Sequence, residues 1–425
     1  MTKILFVSYG GGHINLILPI LEKCRNYGFH SDILALTGAK LVTDLLKIKS
    51  FGYKDFVEDK DKKKVKLYGS KLLKENYNPE SGIEEEESLY YLGINWLDNI
   101  EKFGEEKTER LYKKIKRHSF LPINFFEKIL KKNNYDLLVV TNSPKSERAA
   151  ILAANKLKVK SIRIEDLFFD DDLQTEIIRK LGSDYKSSIG SYVASPSKIF
   201  VMCNYTKDLY KFKKKVLLLD SKESDIVVTG QPILDRLYSK SVNNINKKKD
   251  KSLAKECVLW THSNGLPDNN EVLQLISLWL KNFSSKSCYL AIKLHPDFSS
   301  RDKQYIDKTF SQFSQNYFFV KPNLSIEDAI KSSKVLIAQE STTMLEALFL
   351  RKPSVCLDPK NIRKDIPYLK CNICERASTY KELNEIIIRS NDVDEDRFEN
   401  IRKKMGFALN ASERIFSELK ELISS

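Results

Sequence analysis

Two stretches far apart in the chain combine residue types that handle anions and protons. Near the start, glycines 10–12 directly precede His13, and downstream the hydroxyl residues 341–343 are followed by Glu346. Glycines permit a tight turn and a close approach of backbone to a ligand. An imidazole with an ordinary pKa near ~6.5 can accept a proton at neutral pH. Together these residues predict a site for a phosphorylated ligand with an acid or base beside it.

The downstream stretch follows a short apolar run, 335–337, and opens into an amphipathic segment, which is the order strand, polar turn, helix. Hydroxyls and unpaired N–H groups at a helix start favour a phosphate. Glu346, one turn further on, can accept both hydroxyls of a ribose. The alternative is that Ser341 and Thr342 only cap the helix, which is the commoner role of these residues.

The glycine-rich stretch also follows a strand pattern, residues 4–7, and precedes a helical pattern over 16–24. His13 would therefore lie at the carboxyl end of a first strand, where open α/β sheets bind their ligands. A single histidine is more often a hydrogen-bonded structural residue. The adjacent glycines favour the functional interpretation here.

Four consecutive strand patterns in the second half of the chain, at 257–260, 289–294, 317–320 and 335–338, end in polar residues. Because the carboxyl ends of parallel strands meet at one edge of a sheet, we expect these residues to share a crevice. The candidate nucleotide-binding residues are Gly12, His262, Ser263, Asn264, Lys293, His295, Pro296, Lys321, Ser341, Thr342, Thr343 and Glu346.

Length and composition are typical of a two-domain enzyme. The chain has 425 residues, of which 42% are hydrophobic, enough for a core in each domain. No apolar run approaches the ~20 residues that span a bilayer, and the first residues do not resemble a secretory signal. Seven scattered cysteines indicate reduced thiols. We therefore expect a cytoplasmic protein.

The formal net charge of +14 suggests an anionic partner, although lysine-rich solvated loops would give the same excess. Two basic stretches with interleaved aromatics, 113–117 and 207–215, suit an anionic membrane surface. A peripheral position on the inner face of the membrane is therefore one expectation. No motif of a nucleic-acid-binding module is present, so nucleic acid is not an expected partner.

Strands alternate with helical patterns in both halves of the chain, which predicts two α/β domains with parallel sheets. We place the first domain at 1–237, with strands at 4–7, 31–36, 137–140, 161–164, 199–202 and 226–228. A polar linker is predicted at 238–256, the second domain at 257–405, and at 406–425 a C-terminal helix that can pack back on the first domain.

The first domain contains a long insertion, 51–126, and insertions of this length are often functional. We expect it to shape the site of an acceptor, or else to be a solvated helical pair whose aromatics pack on the core. The residues concerned are Tyr90, Tyr91, Trp96 and Tyr112, with the basic residues Lys113, Lys114, Lys116 and Arg117.

The chain resembles GT-B glycosyltransferases, which have two Rossmann-like domains facing each other across a cleft. The segment GGGHINLILPI, from Gly10, resembles the N-terminal loop of UDP-dependent transferases, including the bacterial enzyme that builds peptidoglycan lipid II. The segment TGQPILD, from Thr229, resembles a TGNP-type segment of that enzyme and of UDP-N-acetylglucosamine 2-epimerases. STTMLEALFLRKPSV, from Ser341, resembles the S-T-x-x-E-A-L segment of the nucleotide site.

Departures from these patterns leave the nucleotide of the sugar donor undecided between UDP and CMP. Gln339 and Glu340 stand where many of these sites have two glycines. The segment KLHP, 293–296, together with the hydroxyls at 341–343 resembles bacterial sialyltransferases and CDP-glycerol polymerases. Glu165 and Asp166 resemble the acidic pair of those sialyltransferases. A UDP-sugar donor is favoured, with a CMP-sugar donor of sialyl or Kdo type as the alternative.

The resemblance implies transfer of a sugar from a nucleotide sugar to the hydroxyl of a glycan or lipid-linked acceptor, in surface glycan or glycolipid synthesis. The expected transfer is inverting and independent of a metal ion or other cofactor. His13 is the candidate base, oriented by Asp166 or Glu165, unless Asp166 is itself the base. His295, Ser341 and Thr342 would hold the departing phosphate. The alternatives are a sugar-nucleotide 2-epimerase on the same fold and a non-catalytic binding protein.

Overall fold

The structure, a computed structural model, describes residues 1–141, 145–166, 168, 195–216, 225–245, 256–262, 269–283, 288–295, 300–321, 324–364 and 366–425. It divides into two compact units. Unit 1 comprises residues 1–233 and 407–425, and unit 2 comprises residues 234–406.

Unit 1 is built on a parallel six-stranded sheet in the order β2-β1-β3-β4-β5-β6. The order in which the chain adds strands to the sheet reverses between β1 and β3, which are parallel neighbours with Ile4 opposite Leu137. The strands are β1 Lys3–Ser8, β2 His30–Ala35, β3 Leu137–Val140, β4 Lys160–Ile164, β5 Lys198–Val201 and β6 Asp225–Val228. Among the described residues, the helices outside the insertion are α1 Ile14–Asn26, α2 Gly38–Leu45, α7 Ser146–Leu157, α8 Asn204–Val216 and α17 Ala411–Ser424.

The first strand is buried on both faces, which explains its continuous apolar sequence. Leu5 and Val7 belong to one apolar cluster, with residues of α7 and the insertion. Ile4 and Phe6 belong to another, with residues of α1 and α17. Its alternate side chains thus place one layer of helices on each face of the sheet.

The insertion forms four helices, α3 Asp59–Asn76, α4 Glu85–Phe103, α5 Glu105–Ile115 and α6 Ile123–Asn133. Gly69 and Gly93 allow α3 and α4 to pack closely, since a Cβ at position 93 would lie 1.9 Å from the Val65 carbonyl oxygen. The aromatics named from the sequence, Tyr90, Tyr91, Trp96 and Tyr112, are all buried. For these four side chains, the structure shows core packing rather than an exposed aromatic surface.

Unit 2 has a second parallel six-stranded sheet, in the order β12-β11-β10-β7-β8-β9. Its strands are β7 Glu256–Thr261, β8 Cys288–Lys293, β9 Tyr317–Phe319, β10 Val335–Ala338, β11 Ser354–Leu357 and β12 Glu375–Ala377. Its helices are α10 Asn269–Phe283, α11 Ser300–Phe310, α12 Ile326–Ser332, α13 Thr343–Phe349, α14 Pro367–Lys370, α15 Tyr380–Arg389 and α16 Glu395–Met405. The direction of winding reverses between β7 and β10, which are neighbours.

Helix α9, Pro232–Ile245, begins where the chain leaves unit 1. It occupies residues 238–245 of the predicted linker, and residues 246–255 lie outside the described residues. Polarity suggested a linker there, but a helix with one polar face has the same composition.

The chain returns to unit 1 at residue 407, and α17 presents an apolar stripe of Ile415, Leu419 and Leu422 to the core. Ahead of α9, Gly230 has φ +86, and a Cβ there would lie 2.4 Å from the Ala408 carbonyl oxygen. Glycine is therefore required in the TGQP segment, both for its backbone conformation and for the close passage of the returning chain.

The two-domain α/β architecture with parallel sheets is confirmed. Each strand predicted from the sequence is present, with ends shifted by at most one residue. Two strands of unit 2, β11 and β12, were not predicted. Among the helices of the described residues, none has the length and apolar character that a membrane crossing requires.

Candidate functional site

The glycine-rich loop lies at the point of unit 1 where the strand order reverses, between β1 and β3. Its last residue, His13, immediately precedes α1. A Cβ on Gly10 would lie 2.3 Å from Cδ2 of the His13 ring, and a Cβ on Gly11 would lie 3.3 Å from the Gly38 carbonyl oxygen. A Cβ on Gly12 would meet nothing within 4 Å. Gly10 thus makes room for the imidazole, and Gly12 faces open space.

The structure brings His13 and Asp166 together. Nδ1 of His13 lies 3.0 Å from Oδ2 of Asp166, which follows β4. Burial alone would lower the pKa of His13, but the hydrogen bond and charge of Asp166, with the charges of Glu147 and Glu165, raise it to about 9. The imidazole is therefore protonated at pH 7, unlike the neutral base that the sequence analysis assumed. A protonated imidazole can donate a proton, and the role of His13 as a base stays a prediction.

Glu147, in the first turn of α7, is a member of this cluster that the sequence did not reveal. It is fully buried, and its Oε1 accepts from the backbone N–H of Tyr9 at 2.8 Å and from the Thr141 hydroxyl at 2.9 Å. Burial raises its pKa, against the opposing charge of His13 and these hydrogen bonds. An acidic residue in a first helical turn ordinarily offsets the helix dipole, so nothing in the pattern distinguished it.

Glu165 is also buried, and it accepts a short hydrogen bond from the Tyr210 hydroxyl. Nη2 of Arg163 lies 3.5 Å from the same carboxylate. The TGQP segment contributes Gln231, whose side-chain amide donates to the backbone carbonyl of Asp166 at 3.1 Å. The acidic pair 165–166 is therefore held in place from two sides, by Tyr210 and by Gln231.

In unit 2, the four strands whose polar ends were predicted to meet are consecutive neighbours, in the order β10-β7-β8-β9. The hydroxyl of Thr261, at the end of β7, lies 3.2 Å from that of Thr343. The Thr343 hydroxyl donates to Ser341 at 2.9 Å. The reversal point of the second sheet is thus lined with hydroxyls.

His262 and His295 follow β7 and β8, which are neighbouring strands. His262 is 7% exposed, and its Nδ1 has no hydrogen-bond partner in the described part of the chain. Burial lowers its pKa, so the ring is neutral at pH 7. Lys293 donates to the Leu324 carbonyl at 2.6 Å, and Lys321 is exposed at the end of β9. Ser263, Asn264 and Pro296 lie outside the described residues.

Glu346 is partly buried, and its carboxylate makes no hydrogen bond within the described ranges. Burial raises its pKa to about 7, although the charge of Arg236 opposes the shift. A carboxylate that has lost water without gaining a donor is energetically suited to accept hydroxyls from a ligand.

The hydroxyls before α13 differ in their contacts. Ser341 accepts from the backbone N–H of Thr343 at 3.3 Å, so it caps the helix. The Thr342 side chain makes no capping bond. Because α13 has only seven residues, its dipole adds little to the binding of a phosphate.

Gln339 and Glu340 occupy the turn where related patterns have two glycines. Gln339 is fully buried, and its backbone carbonyl accepts from the Cys356 thiol at 2.8 Å. Glu340 lies 3.9 Å from Nε of Arg363. This turn is therefore held by contacts with Cys356 and Arg363, and it lacks the space beside the backbone that two glycines would leave.

Comparison of the fold with solved structures gives matches over the whole chain. S. aureus MnaA in complex with UDP has a TM-score of 0.60 at 14% identity, covering 100% of this chain and 97% of that one. The UDP-GlcNAc 2-epimerase of Neisseria meningitidis, bound to UDP-GlcNAc, also has a TM-score of 0.60, at 15% identity, covering 99% and 100%. Acinetobacter baumannii MurG has a TM-score of 0.50 at 11% identity, covering 99% and 100%.

At these identities the likeness shows the fold alone, which is that of GT-B-like enzymes. No family model and no curated protein matches the sequence. Among the described residues, no group of three or more His, Cys, Asp or Glu side chains is placed to hold a metal ion. The metal-independent chemistry expected from the sequence stays a prediction.

Proposed function

We propose that this protein is an enzyme that acts on a UDP-sugar and that it is a sugar-nucleotide 2-epimerase. The observation that carries the proposal is the cluster at the reversal point of unit 1. There a protonated His13 is paired with Asp166, and Glu147 and Glu165 lie nearby. An epimerase must remove a proton from carbon and return one to the opposite face, so it needs both an acid and a base. The fold, shared with UDP-GlcNAc 2-epimerases over nearly the full length of both chains, supports the same proposal.

Within this cluster we assign His13 as the acid and Asp166 or Glu165 as the base. The Nδ1 proton of His13 is held by Asp166, which leaves Nε2 as the nitrogen that can donate to substrate. Glu147 is a positioning residue in this scheme, because both its oxygens are occupied by Thr141 and Tyr9.

Nucleotide binding is assigned to the polar edge of unit 2. Glu346 would accept the ribose hydroxyls. Nδ1 of His262, which has no hydrogen-bond partner among the described residues, would contact the diphosphate together with the hydroxyls of Ser341 and Thr343. Structural neighbours bound to UDP and to UDP-GlcNAc support a uridine nucleotide. The KLHP segment keeps a CMP-sugar as the alternative donor.

The second candidate is a UDP-sugar-dependent glycosyltransferase. It is favoured by the glycine-rich loop before His13, by the likeness to MurG, and by the helical insertion in unit 1, which would shape an acceptor site. In that case the acceptor is a glycan or a lipid-linked sugar.

One experiment separates these functions. The purified protein is incubated with UDP-GlcNAc in D₂O without any acceptor, and products are followed by proton NMR, with CMP-sugars tested in parallel. An epimerase yields the 2-epimer and incorporates deuterium at carbon 2. A transferase leaves the donor intact until an acceptor is supplied. Binding without turnover under both conditions would contradict an enzymatic role.

A further inference from the structure

The turn between β2 and α2 holds a threonine in a backbone conformation that favours glycine. Thr37 has a φ of 48° and a ψ of −115°. The backbone N–H of Ala39 donates to the Leu36 carbonyl at 3.0 Å, so Thr37 occupies the second position of a β-turn, where glycine usually supplies the positive φ. A β-branched residue with positive φ is strained, and such strain persists where surrounding contacts hold it.

The side chain of Thr37 contacts the glycine-rich loop. A threonine directly before a helix ordinarily caps that helix, but Thr37 makes no capping bond to α2. Its hydroxyl instead donates to the backbone carbonyl of Tyr9 at 2.8 Å. The next residue, Gly38, also lies against the loop, because a Cβ at position 38 would lie 3.1 Å from the backbone nitrogen of Gly11. The turn therefore contacts the loop on each side of Gly10.

Glu87, in the first turn of α4, joins the insertion to this turn. Its Oε1 accepts from the backbone N–H of Thr37 at 3.2 Å. The carboxyl group is buried, and burial raises its pKa to about 7 against the N–H groups of Thr37 and Tyr53, which favour the charged form. Gly52 leaves room for it, since a Cβ at position 52 would lie 2.9 Å from Oε2 of Glu87. One buried carboxyl group thus connects the insertion to the turn at 36–39.

The backbone of Tyr9 connects these contacts to the acid–base cluster. Its carbonyl accepts from Thr37, and its N–H donates to Glu147 at 2.8 Å. The residue after it is the glycine that makes room for the His13 ring. The course of the backbone from Tyr9 onwards therefore sets the position from which the imidazole pairs with Asp166.

We propose that Thr37 and Glu87 are positioning residues of the acid–base cluster. Glu87 holds the turn, and Thr37 fixes the glycine-rich loop so that His13 is directed at Asp166. The proposal accounts for a threonine at the strained position, since glycine has no hydroxyl to donate to Tyr9. That this geometry serves turnover rests on the proposed function, whereas the positioning of His13 does not. It gives the insertion a role that does not depend on an acceptor.

The first test is the NMR titration of the His13 ring in the full-length protein. Thr37→Val keeps the side-chain shape but removes the hydroxyl, so the midpoint should fall from about 9 towards 6.5. Thr37→Ser keeps the hydroxyl and should restore the wild-type midpoint. Thr43→Val is the matched control, because it removes a buried hydroxyl of α2 whose partners are the Lys40 carbonyl and the Ser50 hydroxyl. It should lower stability without moving the midpoint.

Glu87 is tested in the same titration. Glu87→Ala removes the acceptor of the Thr37 N–H and should lower the midpoint, whereas Glu87→Gln keeps a carbonyl oxygen for that bond and should stay close to wild type. Glu85→Ala is the control, since it removes an exposed acid from the same helical turn. If Glu87→Ala does not fold, the comparison of Thr37→Val with Thr43→Val decides the question.

Turnover of UDP-GlcNAc gives a second readout. Thr37→Val should lower kcat by roughly tenfold or more with KM nearly unchanged, because a displaced acid or base slows the reaction without weakening nucleotide binding. The proposal is overturned by a midpoint that Thr37→Val leaves unchanged, by an equal fall in Thr43→Val, or by a wild-type midpoint near 6.5. A wild-type protein that does not convert UDP-GlcNAc contradicts the proposed function alone, because the midpoint is measured without substrate.

Discussion

The ring of His13 occupies the space that a side chain on Gly10 would need. A Cβ at position 10 would lie 2.3 Å from Cδ2 of the imidazole, far inside the distance at which carbon atoms pack. The glycine-rich loop therefore sets the direction of one side chain as well as the course of the backbone. The pairing of His13 with Asp166 depends on that direction.

We predict that Gly10→Ala displaces the His13 ring and lowers the free energy of unfolding by about 1–3 kcal/mol, the usual cost of an added methyl in a filled space. Gly12→Ala is the matched control, because its Cβ meets nothing within 4 Å and its φ is not positive. That variant should be unchanged or more stable by about 0.4–1 kcal/mol. Urea unfolding of both proteins measures the difference, and equal stabilities would refute the steric role of Gly10.

The pKa of His13 gives a prediction about pH. Because its folded pKa is raised to about 9, His13 contributes stability that is fully present below pH 6.5 and is lost as the pH rises through 9. Asp166→Asn should therefore destabilise the protein most near pH 6, on the order of 1–3 kcal/mol after allowing for partial exposure, and little at pH 10. Chemical denaturation across this range measures the effect.

A direct control is the NMR titration of the His13 ring protons. The midpoint should lie near 9 in the wild-type protein and fall in Asp166→Asn. A wild-type midpoint near 6.5 would restore His13 as a neutral base and remove the acid role proposed for it.

Glu346→Ala should weaken nucleotide binding by about 1–3 kcal/mol, as expected for lost hydrogen bonds to a charged group. Calorimetry with UDP and with CMP measures this, and we expect UDP to bind more tightly. Glu385→Ala, on the exposed face of α15, is the matched control. Unchanged affinity in Glu346→Ala would remove the ribose assignment.

The exposed lysines of the insertion give a prediction about membranes. Lys113 and Lys114 are exposed, whereas Lys116 is paired with Glu75. Substituting both exposed lysines by Gln should weaken the free energy of binding to anionic vesicles by about 1 kcal/mol per residue at low salt, as measured by co-sedimentation. Gln at Lys131 and Lys132, which are also exposed, is the control. Vesicle binding that does not change with lipid charge or salt concentration would favour a soluble acceptor.

The sequence predicted the strands well because their apolar runs are continuous, as in β1 and β10, and such runs are typical of parallel strands covered on both faces. Strand β12, Glu375–Ala377, was missed because three residues with two charges carry no periodic signal. The polar strand ends in unit 2 were predictable because the carboxyl ends of parallel strands lie at the same edge of a sheet.

The chemistry of unit 1 was less accessible from the sequence. Residue type suggested His13, but its protonation state depends on Asp166, Glu147 and Glu165, which approach it from separate parts of the chain. Long-range electrostatics of this kind follows from the fold and cannot be obtained from spacing.

Unit 1 is assembled from two separated segments, 1–233 and 407–425, and this has a consequence for synthesis on the ribosome. At ~5–20 residues per second, translation of unit 2 takes on the order of ten seconds or more. During that time the apolar cluster around Ile4 and Phe6 lacks the contacts that Ile415 and Leu419 make in the folded protein. The second unit to emerge can therefore complete its folding before the first, which lacks α17 until translation has passed residue 424.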